Sequence, residues 1–184
     1  MKKYNLVTKF VAGRRLALTL KTLKRLEARV PKKDIRILDV GCGNRFITDS
    51  IKTKGYHIIG IDKVDPRKAS WMKGYPMPDR IMDAMHMTFK TGTFDVVISF
   101  EVIEHSPCVP EIKRVLKRGG LFICSTPAPG TDWVRHILVG LHLLEDQDFQ
   151  GHDHIVDLKT VKLMRLIKYK KMFLGTSQFG IFKK

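Results

Sequence analysis

The short apolar run Ile35 to Val40 leads straight into Gly41-Cys42-Gly43. That order reads as a buried strand followed by a tight turn. Glycine lets the backbone reverse sharply and lets a ligand come close to it. Phe46 to Lys54 then reads as a helix with Gly55 at its C-terminal cap, and free N–H groups stand at its start.

Further along, the same unit recurs. His57 to Ile61 is the next strand and ends in Asp62. Arg80 to Met82 is a weaker one and ends in Asp83. Phe94 to Phe100 is a strong strand, and Leu121 to Ser125 is the fifth. Pro110 to Lys117 reads as a helix that Gly119-Gly120 stops. Strands alternating with helices or short connections predict an α/β fold: a Rossmann-like, doubly wound, mostly parallel sheet covered on both faces. Ahead of it, Leu16, Leu20, Leu23, Leu26 and Val30 recur at helical spacing and predict an amphipathic, basic helix. Beyond Pro127-Ala128-Pro129-Gly130 the pattern changes. Asp132 to Leu144 reads as an inserted helix, and Leu158 to Ile167 as a last helix with Asp157 as N-cap. Lys171 to Leu174 and Gln178 to Phe182 flank a turn and predict a terminal antiparallel hairpin. Residues 1–184 are therefore expected to form one domain. Its parts are the basic helix (1–30), a ligand-binding core (35–127), an inserted helix and loop (131–154), and a last helix with the hairpin (157–184).

Length and composition agree with one soluble globular unit. The chain has 184 residues, 43% hydrophobic and 28% charged. No stretch approaches the roughly twenty apolar residues of a membrane span. Lys9, Arg14 and Arg15 interrupt any secretory signal core. Cys42, Cys108 and Cys124 are odd in number and lack C-x-x-C spacing, which disfavours disulfides and zinc and suits a reducing cytoplasm. The formal net charge is +16, concentrated in the first 36 and the last thirty residues. Such ends attract anions, or they are simply solvated.

The strand ends carry the chemistry. A dinucleotide turn wants a third glycine where Phe46 stands. Asp39, two residues before Gly41, suits a cationic ligand better than a pyrophosphate. Asp62 can accept two ribose hydroxyls, or it is a plain polar strand end. Asp83 can accept an adenine amino group, with Met85 packed on the ring. Glu101 closes the set at the end of the fourth strand. Four acids at one sheet edge repel one another, and a ligand with positive charge and many hydroxyls offsets that repulsion.

The succession Ile37-Leu38-Asp39-Val40-Gly41-Cys42-Gly43, Gly60-Ile61-Asp62, Asp83-Ala84, Phe94-Asp95-Val96-Val97, Glu101-Val102-Ile103-Glu104-His105 and Leu116-Lys117-Arg118-Gly119-Gly120 resembles class I S-adenosylmethionine-dependent methyltransferases, most closely the type 11, small-molecule branch. The resemblance covers roughly Ile35 to Pro127. It implies S-adenosyl-L-methionine as cofactor. Asp39, Gly41 and Gly43 would hold the methionine part, Asp62 the ribose, Asp83 and Ala84 the adenine, and Glu101 and Val102 would lie beside the sulfonium. Cys42, Lys63 and Met85 complete the expected cofactor set. Arg45 departs from the family, which often has glycine there.

Methyl transfer asks the protein mainly to align the acceptor and exclude water. A general base is needed only where the acceptor loses a proton. His105 is the first candidate, with backbone shaping as its alternative, and His154 with His152 the second. A metal held by His105, His152, Asp153 and His154 is a weaker reading, and no metal is expected. The inserted helix reads as a lid or acceptor pocket, as a membrane-surface contact, or as core packing. The expected acceptor is a small molecule, lipid-linked or glycan-type. RNA is the alternative partner, favoured by charge but without an aromatic stacking stripe. A non-catalytic cofactor-binding subunit is a third reading. Oligomeric state is not legible.

Overall fold

A computed structural model describes residues 6–69, 74–131 and 156–184, together with residues 133, 134, 137 and 140. In chain order the elements are α1 (Leu6–Glu27), β1 (Arg36–Val40), α2 (Phe46–Lys52), β2 (His57–Asp62), β3 (Arg80–Ile81), β4 (Phe94–Phe100), α3 (Val109–Val115), β5 (Leu116–Pro127), β6 (Arg165–Met172) and β7 (Ser177–Lys183). The strands form one seven-stranded sheet in the order β3-β2-β1-β4-β5-β7-β6. The pairs from β3 to β5 are parallel, while β7 runs antiparallel to both β5 and β6. The expected doubly wound sheet with its antiparallel hairpin is thus present.

β1 sends apolar side chains to both faces, Ile37 to one and Leu38 and Val40 to the other, because it is central and covered twice. On one face, Leu23 of α1 and Ile51 of α2 pack on Ile37, Val96, Ile98 and Ile123. On the other, Ile112 and Val115 of α3 pack with Leu38, Val40, Val97 and Phe122. Parallel strands need this two-sided cover. Among the described residues, no helix is long and apolar enough to cross a membrane.

Several boundaries differ from expectation. α1 begins at Leu6, well before the periodic leucines, and ends at Glu27. The helix expected over Pro110 to Lys117 stops at Val115, because Leu116 is already extended and paired with Phe94. The largest correction is the last helix. Leu158 to Ile167 is not helical as a whole: Leu158–Thr160 is a single 3-10 turn, and Arg165 already belongs to β6. Asp157 caps that turn by accepting the Lys159 N–H. The helix expected there loses to a tertiary opportunity: β7 has an open edge, and β6 satisfies its backbone groups. The hairpin's first strand accordingly starts at Arg165, not Lys171. The inserted helix lies mostly outside the described residues; Trp133, Val134, Ile137 and Gly140 are helical.

Gln178 holds this rearranged end in place. Its fully buried side-chain carbonyl accepts the Leu158 N–H at 3.2 Å, and its amide donates to the Pro127 carbonyl at 3.0 Å and to that of Val156. Gln178→Leu strips these groups of partners inside an apolar layer and is expected to lower unfolding free energy by about 2–4 kcal/mol, since an orphaned buried polar group costs about 1–3 kcal/mol. Urea unfolding checks this, and an unchanged midpoint contradicts it.

Candidate active site

Parallel register brings the expected residues to one edge. Val40 lies beside Ile61 and Ser99, Asp62 beside Ile81, and Phe100 beside Ser125. The turn after β1, Asp62, the segment after β3 and the loop after β4 therefore share the C-terminal edge of the sheet, where open α/β sheets bind ligands.

The turn after β1 is built on positive φ. Gly41 sits at 71° and Gly43 at 47°. At Gly41 the reason is contact: a Cβ there would lie 2.3 Å from Cγ2 of Val102. At Gly43 a Cβ would meet nothing within 4 Å, so the backbone faces open space. The N–H groups of Gly41 and Cys42 both donate to the Ile61 carbonyl, at 2.9 and 3.0 Å. That of Gly43 donates to Oδ2 of Asp62 at 3.0 Å, and Val64 N–H donates to Oδ1. Asp62 is thereby oriented, and each oxygen keeps acceptor capacity for a hydroxyl.

Asp39 is 3% exposed and accepts the Thr48 hydroxyl at 2.6 Å, which ties β1 to α2. Burial pushes its carboxyl up to about 6; the Thr48 hydrogen bond and Arg45 oppose this, while Asp62 and Asp79 add to it. The Cys42 thiol is pushed up to about 12 by burial and then by Asp39 and Asp62, so it is no nucleophile at neutral pH.

Arg45, the departure from the family, has a structural use. It takes the left-handed conformation itself, at φ 63°. Its guanidinium is buried and reaches Asp49 and Asp79, each at 3.1 Å, and the Met77 carbonyl at 3.2 Å. Asp79 in turn accepts the Gly60 N–H at 2.7 Å. The turn is thus clamped to the segment that leads into β3.

After β3, Asp83 is exposed and accepts the Met85 N–H at 2.8 Å; Ala84 packs on the core and Met85 stands in solvent. Lys63 is exposed just past Asp62. At the end of β4, Glu101 is held at φ 56°, with its N–H on the Ser125 carbonyl. Its carboxylate accepts Arg15 of α1 at 2.5 Å and the Ser125 hydroxyl at 3.0 Å. His105 is exposed on the same loop, its N–H donating to the Val102 carbonyl. His152, Asp153 and His154 lie outside the described residues, and among those described no cluster of metal-binding side chains occurs.

Sequence reasoning missed three participants. Arg15 reaches Glu101 across 86 positions, and no local pattern announces that. Thr48 was legible only as a helix residue. Glu104 is 2% exposed, and neither of its oxygens has a partner of ordinary geometry, like the hydroxyls of Ser99 and Thr126. Burial, then the charge of Glu101, pushes its carboxyl up to about 8, although Thr126 and Arg15 pull the other way. Its carboxyl is thereby shifted toward the neutral form.

Residues 38–124 match the family model described as a methyltransferase domain. This segment, which runs from β1 into β5, is that of a class I S-adenosylmethionine-dependent methyltransferase domain. Among curated relatives, a probable S-adenosylmethionine-dependent methyltransferase of Mycolicibacterium smegmatis is 34% identical over 119 residues, 59% of this chain and 46% of that protein. A ubiquinone biosynthesis O-methyltransferase of Cereibacter sphaeroides is 33% identical over 111 residues, 55% of this chain and 44% of that protein. The chain thus matches less than half the length of either relative. Solved structures agree on the fold. A protein of Pyrococcus horikoshii superposes with a TM-score of 0.57 at 21% identity, covering 91% of this chain and 90% of the other. A SAM-dependent methyltransferase of Archaeoglobus fulgidus gives 0.57 at 16% identity, covering 89% and 93%.

The edge suits the cofactor that the family implies. Open space at Gly43 admits a ligand to the backbone, and the neighbouring acids Asp39 and Asp62 raise each other's energy until a cation arrives. A carboxylate at Asp39 attracts an ammonium group, while its protonated form does not. Affinity for S-adenosylhomocysteine is therefore expected to fall below about pH 6, by up to about tenfold per pH unit. Asp39→Asn should bind more weakly and lose this dependence. Calorimetry at pH 5.5 and 7.5 reads both, and a flat wild-type profile contradicts the assignment.

Glu104 makes a separate prediction for stability. The folded chain keeps its proton up to about pH 8, whereas the unfolded chain releases it near the ordinary glutamate value of 4.5. Native protein binds more protons across that window, so this residue's contribution to stability falls as pH rises from about 4.5 to 8 and is flat above. Glu104→Gln removes that slope and should raise Tm relative to wild type most at pH 8–9. Thermal scans across pH with parallel curves for the two proteins would rule it out.

Proposed function

We propose that this chain transfers a methyl group from S-adenosyl-L-methionine to a small-molecule, lipid-linked or glycan-type acceptor, in the cytoplasm. The observation that carries this is the convergence of Asp39, Asp62 and Glu101 on one sheet edge beside a glycine turn open to a ligand. When bound there, the cofactor supplies an activated methyl group on a sulfonium. Asp39 and the backbone at Gly41 and Gly43 hold the amino-acid end. Asp62 receives the ribose hydroxyls, with Cys42 and Lys63 flanking, and Asp83, Ala84 and Met85 border the base. Glu101 and Val102 stand beside the reacting centre, and the Arg15 ion pair fixes the carboxylate's direction. His105, exposed on the loop after β4, accepts the proton of a hydroxyl acceptor as it attacks. His154 is assigned a supporting part on sequence alone.

The acceptor class draws support from the relative named as a ubiquinone biosynthesis O-methyltransferase. RNA is the second reading, favoured by the net charge of +16. Purified protein, methyl-labelled cofactor and a cell extract decide between them. Label is expected in the organic or small-solute fraction, reduced by His105→Ala at unchanged cofactor affinity. Label confined to RNA would overturn the acceptor class. Cofactor binding without any transfer would favour a non-catalytic subunit.

A further inference from the structure

The antiparallel run of β7 carries the β6–β7 turn to the catalytic edge of the sheet, since Ser177 pairs with Pro127 at the end of β5. α1 comes to the same edge, where Arg15 meets Glu101. The two meet around a cleft of about 470 Å³ whose lining includes Phe10, Arg14, Lys170, Lys171 and Leu174, and holds no acid.

Two features of this face call for a partner. The first is apolar exposure: Leu174 is 83% exposed and Phe10 58%. Leu174 is held out by an unusual turn. Phe173 and Leu174 take φ of 44° and 53°, and the Gly175 N–H donates to the Met172 carbonyl at 3.1 Å. Two consecutive left-handed residues are the usual place for Asn-Gly, and large L side chains seldom occupy it. The Thr176 N–H and hydroxyl both donate to the Phe173 carbonyl and hold the turn closed. Backbone outliers of this kind persist where the surroundings enforce them, often at binding sites.

The second is charge without an acid in the cleft lining among the described residues. Alongside Arg14, Lys170 and Lys171, the ammonium of Lys168 on β6 is held below the usual lysine range by partial burial and then by Arg25, Lys21 and Lys170. Lysines on an edge strand discourage pairing with other sheets. That accounts for the cations of β6 but not for an aliphatic tip beside them.

We propose that this face docks on an anionic lipid bilayer, with Leu174 and Phe10 entering the interfacial layer and Arg14, Lys170 and Lys171 meeting the phosphates. An apolar tip ringed by cations matches a surface that is charged above and apolar beneath. Nucleic acid answers only half of that pattern: bases stack on aromatic platforms, whereas the most exposed tip here is the aliphatic Leu174, and the Phe10 ring already faces the Arg14 guanidinium at 6.0 Å. Docking there sets the cofactor edge against the bilayer.

Co-sedimentation of the full chain with vesicles tests this without reference to catalysis. Vesicles of phosphatidylcholine mixed with phosphatidylglycerol should carry the protein down, and those of phosphatidylcholine alone should not. Added salt should weaken the binding. Leu174→Asn suits the left-handed backbone and should keep or raise Tm, yet weaken vesicle binding by about tenfold. Lys170→Gln and Lys171→Gln should each cost about fivefold. No binding to the anionic vesicles, or binding that Leu174→Asn leaves unchanged, would overturn the proposal. So would displacement from vesicles by single-stranded RNA whose own binding is indifferent to Leu174→Asn, which would assign the face to nucleic acid.

Discussion

The C-terminal edge of the sheet depends on the close approach of Gly41 to Val102. A Cβ at Gly41 would overlap Cγ2 of Val102, so the turn after β1 and the loop after β4 share a space that only glycine leaves open. Because Gly41 and Cys42 also donate to Ile61, the same turn is fastened to β2. Three strand ends are thereby locked together, and the acids they carry fall into one crevice as a consequence. Glutamate at φ 56° immediately before Val102 is part of the same arrangement, since the β4 loop must turn at once to reach the glycine.

Charge at this edge is managed in two ways. Arg45 and Arg15 neutralise acids at its margins, Arg45 through Asp49 and Asp79 and Arg15 through Glu101. Asp39 and Glu104 instead sit without a direct cationic partner, and burial moves their carboxyls toward the neutral form. An edge in which some acids are paired and others await a charge is organised for a ligand rather than for stability alone. The left-handed backbone of Arg45 belongs to the same scheme: its strain is offset by a buried guanidinium with several acceptors, which a glycine could not supply.

α1 serves more than the core. One face buries Leu23 under β1 and β4, Arg15 enters the crevice, and Phe10 with Arg14 meets the hairpin turn. A single rigid helix thus joins the packing layer, the site and the outer surface, so a contact made at Phe10 lies near the residues around Glu101.

The sequence by itself determined the alternation of strands with helices, the glycine turn, the acids at the strand ends and the terminal hairpin. Each is set locally: an apolar run of strand length, a turn that needs glycine, an acid where a strand stops. Tertiary structure alone decided that residues 158–167 become a turn and the start of β6, because the open edge of β7 offers their backbone groups a partner that no local pattern announces. It also decided that Arg15 pairs with Glu101, that Glu104 is buried beside it, and that Leu174 comes to the same cleft as Phe10. These outcomes depend on residues far apart in the chain, and local pattern carries no record of which distant groups the fold will bring together.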